Sequence, residues 1–149
     1  MAFDKKDFYA RTMHAPDTPE RAALRLALRE VSRALIPQHR RLIDATRDDY
    51  AFAYAPVESP SHLLQLVNSE PFFAWLKPLT ALIVDIDEMV RTDFEPADAA
   101  RVADRLEQLF GASAGAAFAE RYLPLLQRDV DVTVGHAALR KAITGLRRG

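Results

Sequence analysis

The sequence predicts an all-α protein: a single-domain helical bundle with about four principal helices and shorter connecting ones. Three observations carry this. Apolar residues recur three or four positions apart, the spacing that lines one face of an α-helix. A residue followed by proline recurs at Thr18-Pro19, Ser59-Pro60 and Glu95-Pro96, each time just before such a pattern. A Ser or Thr there accepts a bond from a free backbone N–H, and proline at the first helical position loses no bond the helix would have made. Finally, "VDVTV" at 130–134 alternates like a strand but has nothing to pair with, so it is read as helix.

The elements follow in order. Residues from about 1 to 17 are expected to form a peripheral N-terminal segment of a single domain, 1–149. Leu24, Leu28, Val31, Leu35 and Leu42 define a long helix from about 19 to about 50, with a kink expected at Pro37 because proline removes a backbone donor and crowds the preceding turn. A short helix is expected from Pro60 to Val67. The third runs from about 70 to 91, with Ser69 as its cap and Glu70 favoured by the helix dipole. The fourth spans 96–110 and ends at Gly111. The fifth, about 114–128, carries Phe118, Tyr122 and Leu125. The last, about 131–146, carries Val132, His136, Leu139, Ile143 and Leu146.

The third helix holds the most apolar passage, "SEPFFAWLKPLTALIVDIDEMV" at 69–90. Its apolar run from Phe72 to Val84 is interrupted by Lys77 and is too short for the about 20 residues a membrane span needs. Phe72, Leu76, Leu79, Ile83, Ile86 and Val90 instead form the core face of a central helix, widened by Trp75, Leu82 and Met89. Phe73 and Val84 fall by α-helical phase on the side of Lys77, Glu88 and Arg91. They are therefore the candidate interface of a homodimer.

Composition narrows the functional classes. A chain of 149 residues can bury roughly 70% of its unfolded surface, enough for its own core. Its apolar fraction of 49% and charged fraction of 28% match a globular protein rather than a disordered one. A net charge of −1 creates no global field for nucleic acid or anionic lipid. The absence of cysteine excludes disulfides, thiolate metal sites and a cysteine nucleophile. "MAFDKKDFYARTMHAP" has no apolar signal region, so a cytoplasmic location is expected.

Chemical motifs are sparse. "GASAG" at 111–115 matches G-x-S-x-G, but that motif works where a strand feeds a strained turn above a sheet, and here an amphipathic helix precedes it. Gly111 is expected to end a helix and Ser113 to cap the next. Of the four histidines, His14, His39, His62 and His136, none sits in a Glu-x-x-His, H-x₃-H or H-E-x-x-H pattern, so no metal or other cofactor is expected. Asp85 and Asp87 lie on opposite flanks of their helix and read as boundary carboxylates facing arginines. Arg21, Arg25, Arg29 and Arg33 recur every four residues and form a candidate face for an anionic partner. An acidic protein fits it better than nucleic acid, since no aromatic side chain stands among the arginines to stack bases.

The passage "SPSHLLQLVNSEPFFAWLKPLTALIVDIDE" joins a leucine-rich short helix, an aromatic pair with Trp, and a Pro-containing helix ending in Ile-Asp. In this it resembles a family of small, uncharacterised all-helical bacterial proteins, over residues from about 8 to 146. The resemblance implies the fold and brings no catalytic residues. The expected function is a non-enzymatic helical interaction or regulatory protein that self-associates. The alternative is an enzyme or ligand-binding bundle with an inter-helix pocket lined by Trp75, His39, His136 and Asp87.

Overall fold

A computed structural model describes residues 16–111 and 115–148. The described residues are 87% helical, with no strand among them. The α-helices are α1 (Pro19–Ala53), α2 (Pro60–Ser69), α3 (Lys77–Arg91), α4 (Pro96–Phe110), α5 (Ala116–Arg128) and α6 (Val130–Arg148), and a 3₁₀ segment, Pro71–Leu76, joins α2 to α3. The helix starts follow the capping logic. Thr18 Oγ1 accepts from the Arg21 N–H at 3.1 Å and Ser59 Oγ from the His62 N–H at 3.0 Å. At α4, Asp98 Oδ2 reaches back to the Glu95 N–H at 2.9 Å. The alternating residues 130–134 are helical, as α6 begins at Val130.

The long helix α1 is the spine and lies most extensively against α6, with α3 and α4 also packed on it. It buries Leu24, Leu28, Val31, Leu35 and Leu42 against Leu79, Leu82 and Ile86 of α3, Leu106 of α4, and Leu139 and Ile143 of α6. Helix α1 runs through Pro37 without interruption. Pro37 is on the exposed side. The Arg33 carbonyl deprived of its helical donor can therefore bond water, which lets the helix continue.

The third predicted helix is corrected. It does not run from 70 to 91 but divides into the 3₁₀ segment and α3. Two prolines explain the break. Pro71 starts the 3₁₀ segment, and Pro78 sits at the second position of α3, where its missing N–H costs no helical bond. Ser69 is accordingly not the cap of this helix. It ends α2, with its hydroxyl donating to the Gln65 carbonyl at 2.7 Å.

Candidate functional site

Phe73 is fully buried, which removes it from the candidate interface. A 3₁₀ helix places residues three apart on one side. Phe73, Leu76 and the following Leu79 therefore all face inward, whereas an α-helical phase would have turned Phe73 outward. Its ring lies 5.8 Å from that of Tyr50 and 6.0 Å from that of Phe72. Val84 is 58% exposed and shares its side of α3 with exposed Lys77, Glu88 and Arg91. Alone, an exposed valine is ordinary.

The arginine ladder is divided by burial. Arg25 is 7% exposed and turns inward. Its guanidinium donates to both Asp17 carboxylate oxygens, at 2.8 and 2.9 Å. It also donates to the carbonyls of Met89, Val90 and Thr92 at 3.0, 3.1 and 2.8 Å. The side chain thereby caps the C-terminus of α3, where the helix dipole favours a cation, and its guanidinium lies 5.0 Å from the Phe94 ring centroid. The hydrogen bond to Asp17 holds the Arg25 pKa above its ordinary value, against the opposing effect of burial. Arg25 is thus a structural clamp rather than part of an anion-binding face. Arg21 is half-buried, and Arg29 and Arg33 are exposed, the latter paired with Glu30 at 2.8 Å.

The four residues expected around a pocket do not converge as one site. Asp87 pairs with Arg91 on the solvent side of α3 at 2.7 Å. His39 Nε2 meets Thr80 Oγ1 at 3.1 Å on the α1–α3 seam, and burial lowers its pKa. Trp75 packs at a tilt against Phe118, 5.3 Å between ring centroids, with the Arg121 guanidinium 5.6 Å from its own. Its indole N–H is buried without a hydrogen-bond partner, beside a cleft of about 220 Å³ lined by Thr46, Asp49, Glu120, Arg121 and Arg128. Asp85 faces Arg105 of α4 at 2.6 Å, a boundary carboxylate meeting an arginine of a neighbouring helix.

His136 belongs to a buried polar chain. Gln38, fully buried on α1, donates from Nε2 to the Tyr122 hydroxyl at 3.0 Å and to the Val132 carbonyl at 2.9 Å. Gln38 Oε1 accepts from Arg41 at 3.2 Å. The Tyr122 oxygen already accepts from Gln38, so its own proton points to His136 Nδ1, 2.8 Å away. That assigns the neutral histidine the tautomer with hydrogen on Nε2. Burial pushes the Tyr122 pKa up to about 12 despite the bond from Gln38. Burial, and then the charge of Arg140, lowers that of His136. Gly135 lets α1 and α6 approach here: a methyl group in its place would clash with Gln38 Oε1 and with the Arg41 guanidinium. The chain is internally satisfied and holds three helices together.

Glu107 of α4 receives Arg140 at 2.9 Å and Arg147 at 3.2 Å, both from α6. Burial would raise its pKa, but the two arginines outweigh burial and lower it. Among the described residues no group of three or more His, Asp or Glu side chains is placed to hold a metal ion, and no helix is long and apolar enough to cross a membrane. Helix α4 ends at Gly111 and Gly115 caps α5, while His14 and Ser113 lie outside the described residues.

Comparisons with protein-family models, with curated proteins and with solved structures give no match to this chain.

Proposed function

We propose that this chain is a non-enzymatic helical interaction or regulatory protein that self-associates. The observation that carries this reading is the end of α1. Phe52 is 96% exposed and Tyr54 is 68% exposed, and the Tyr54 ring meets that of half-buried Phe72 at 5.8 Å. Burying a phenylalanine is worth about 1.5–3 kcal/mol. A symmetric contact between two copies would recover that energy while nearby charges stay at a wet rim. The polar side chains lend support from the other direction. His39, His136, Asp87 and Asp85 are each engaged with a neighbour, in separate parts of the bundle.

The test is sedimentation velocity at micromolar concentration. A dimer is expected for the wild type, and a folded monomer for the double variant Phe52→Glu/Tyr54→Glu, with helicity checked by circular dichroism. A monomeric wild type would overturn self-association, and a double variant that stays dimeric would remove this end of α1 from the interface.

A further inference from the structure

Helices α3 and α4 leave a groove of about 350 Å³ between them. Asp85, Glu88, Met89 and Thr92 line it from α3, spaced so that they share one side of the helix. Asp98, Arg101, Val102 and Arg105 line it from α4 at the same spacing. The floor is apolar, made by Met89 and Val102 with the buried ring of Phe94 from the connector. The walls carry four carboxylates, those of Asp85, Glu88, Asp93 and Asp98, against two guanidiniums. Both guanidiniums are engaged within the lining, Arg105 by Asp85 at 2.6 Å and Arg101 by Asp98. Arg25, whose guanidinium stands over the Phe94 ring at the end of the groove, is balanced by Asp17. The groove is therefore apolar at its floor and negative at its rim.

We propose that residues 1–15 of this same chain dock along this groove. Three observations name the occupant. The first is where the described chain begins. Asp17 is bound to Arg25, which also donates to the carbonyls of Met89 and Thr92, so the chain joins the bundle beside two groove residues. The second is reach. From Thr92 to Asp85 the groove runs about 10 Å along α3 at 1.5 Å per residue. Fifteen residues extend to as much as about 50 Å. The third is composition. Residues 1–15 set Lys5, Lys6 and Arg11 against Asp4 and Asp7, with Phe3, Phe8 and Tyr9 interspersed. The cations complement the carboxylate rim, and the rings suit the apolar floor. A separate partner would have to compete with a segment that its tether holds at an effective concentration near millimolar. The aromatic end of α1 lies about 40 Å along that helix from Arg25, so this docking does not depend on self-association.

The experiment uses the full chain. Because the sequence has no cysteine, Ala10→Cys gives a single site for a nitroxide label. In the amide NMR spectrum of the isotope-labelled chain, the nitroxide should broaden the signals of Asp85, Glu88, Arg101 and Arg105. Each should fall below about half the intensity it has once the label is reduced. Arg128, paired with Asp49 toward the far end of α1, should keep its signal. The charge reversal Lys5→Glu/Lys6→Glu/Arg11→Glu should restore most of the groove signals, and Glu88→Lys should restore them in part. No broadening in the groove would overturn the proposal. So would broadening that survives the charge reversal, since the tether alone would then account for it. A mixture of nitroxide-bearing chain without isotope and isotope-labelled chain without nitroxide should show no broadening. Broadening in that mixture would put the segment in the groove of a second copy and overturn docking within one chain.

Discussion

Arg25 and Gln38 lie on the same helix, both buried and both polar, yet they are satisfied in different ways. Arg25 is a full charge at the edge of the bundle, held by one carboxylate and by the three carbonyls at the end of α3. Its partners are fixed by helix geometry, and its long side chain reaches them from the first turns of α1. Gln38 is neutral and deeper, and its bonds run to a carbonyl of α6 and a hydroxyl of α5. A neutral amide carries no charge to desolvate, so the interior tolerates it provided each hydrogen-bonding atom finds a partner. The difference is one of tolerance: the charged clamp resists loss of its charge, whereas the neutral chain resists any change of shape.

The sharpest way to break the comparison is to remove the charge. Arg25→Ala should destabilise the fold by about 3–5 kcal/mol, the cost typical of leaving one member of a buried pair alone. The measure is urea unfolding followed by circular dichroism. Arg25→Lys should recover only part of this, since an ammonium cannot bridge both Asp17 oxygens and the α3 carbonyls in a planar fork. If Arg25→Ala costs less than about 1 kcal/mol, the end of α3 is capped adequately by water and Arg25 is not a clamp.

A smaller effect should come from shape alone. Gly135→Ala gains helix propensity but forces a methyl group against Gln38 Oε1. Gln38 is fully buried and held by three hydrogen bonds, so the change should cost about 1–3 kcal/mol as overpacking. In a Gln38→Ala background the same substitution should cost much less, because only the end of the flexible Arg41 side chain still stands against the methyl group. Additive effects across the cycle would show that the two positions do not press on one another.

These two clusters also explain what could be read from the sequence. Most helices were legible because their apolar period and their proline starts agree, and α4 was bounded correctly at 96–110. The break before Pro78 was not, since an apolar run from Phe72 to Val84 satisfies an α-helical period even though its first turns are 3₁₀. Phe73 followed that error. Arg25 reads as part of the outer ladder because spacing alone cannot show that another helix ends beside it. Gln38 carried a usable sign, for it falls between Leu35 and Leu42 in the buried register of α1. A polar residue there demands a buried partner. Naming Tyr122 as that partner needs the three-dimensional path of α5, which no local pattern contains. The exposure of Phe52 is likewise a tertiary fact: its own helix says nothing about whether a neighbour covers it.

The smallest expected effect is the pH dependence written into the neutral chain. Protonating His136 would place a hydrogen on Nδ1, facing a Tyr122 hydroxyl that already accepts from Gln38. The phenol would then take both hydrogens and leave its own without an acceptor. Burial and Arg140 oppose the charge as well, and Arg41 adds a second cation to the network through Gln38. Glu107, engaged by Arg140 and Arg147, is the carboxylate on the α4 side. With the folded pKa of His136 lowered, the native state binds this proton less readily than the unfolded chain does. The stabilisation is therefore fully present above the unfolded value of about 6.5 and declines as pH falls toward the folded value. His39, also lowered by burial, acts in the same window. Its share is separated by measuring the difference in a His39→Gln background. There, His136→Asn, whose side-chain oxygen can stand in for Nδ1 as acceptor, should flatten the loss of stability between pH 7 and pH 5. The further loss below pH 4.5, where Glu107 gives up its two arginines, should be unchanged. A slope between pH 7 and pH 5 that survives His136→Asn would mean that the Tyr122 hydroxyl adapts to the imidazolium at no cost.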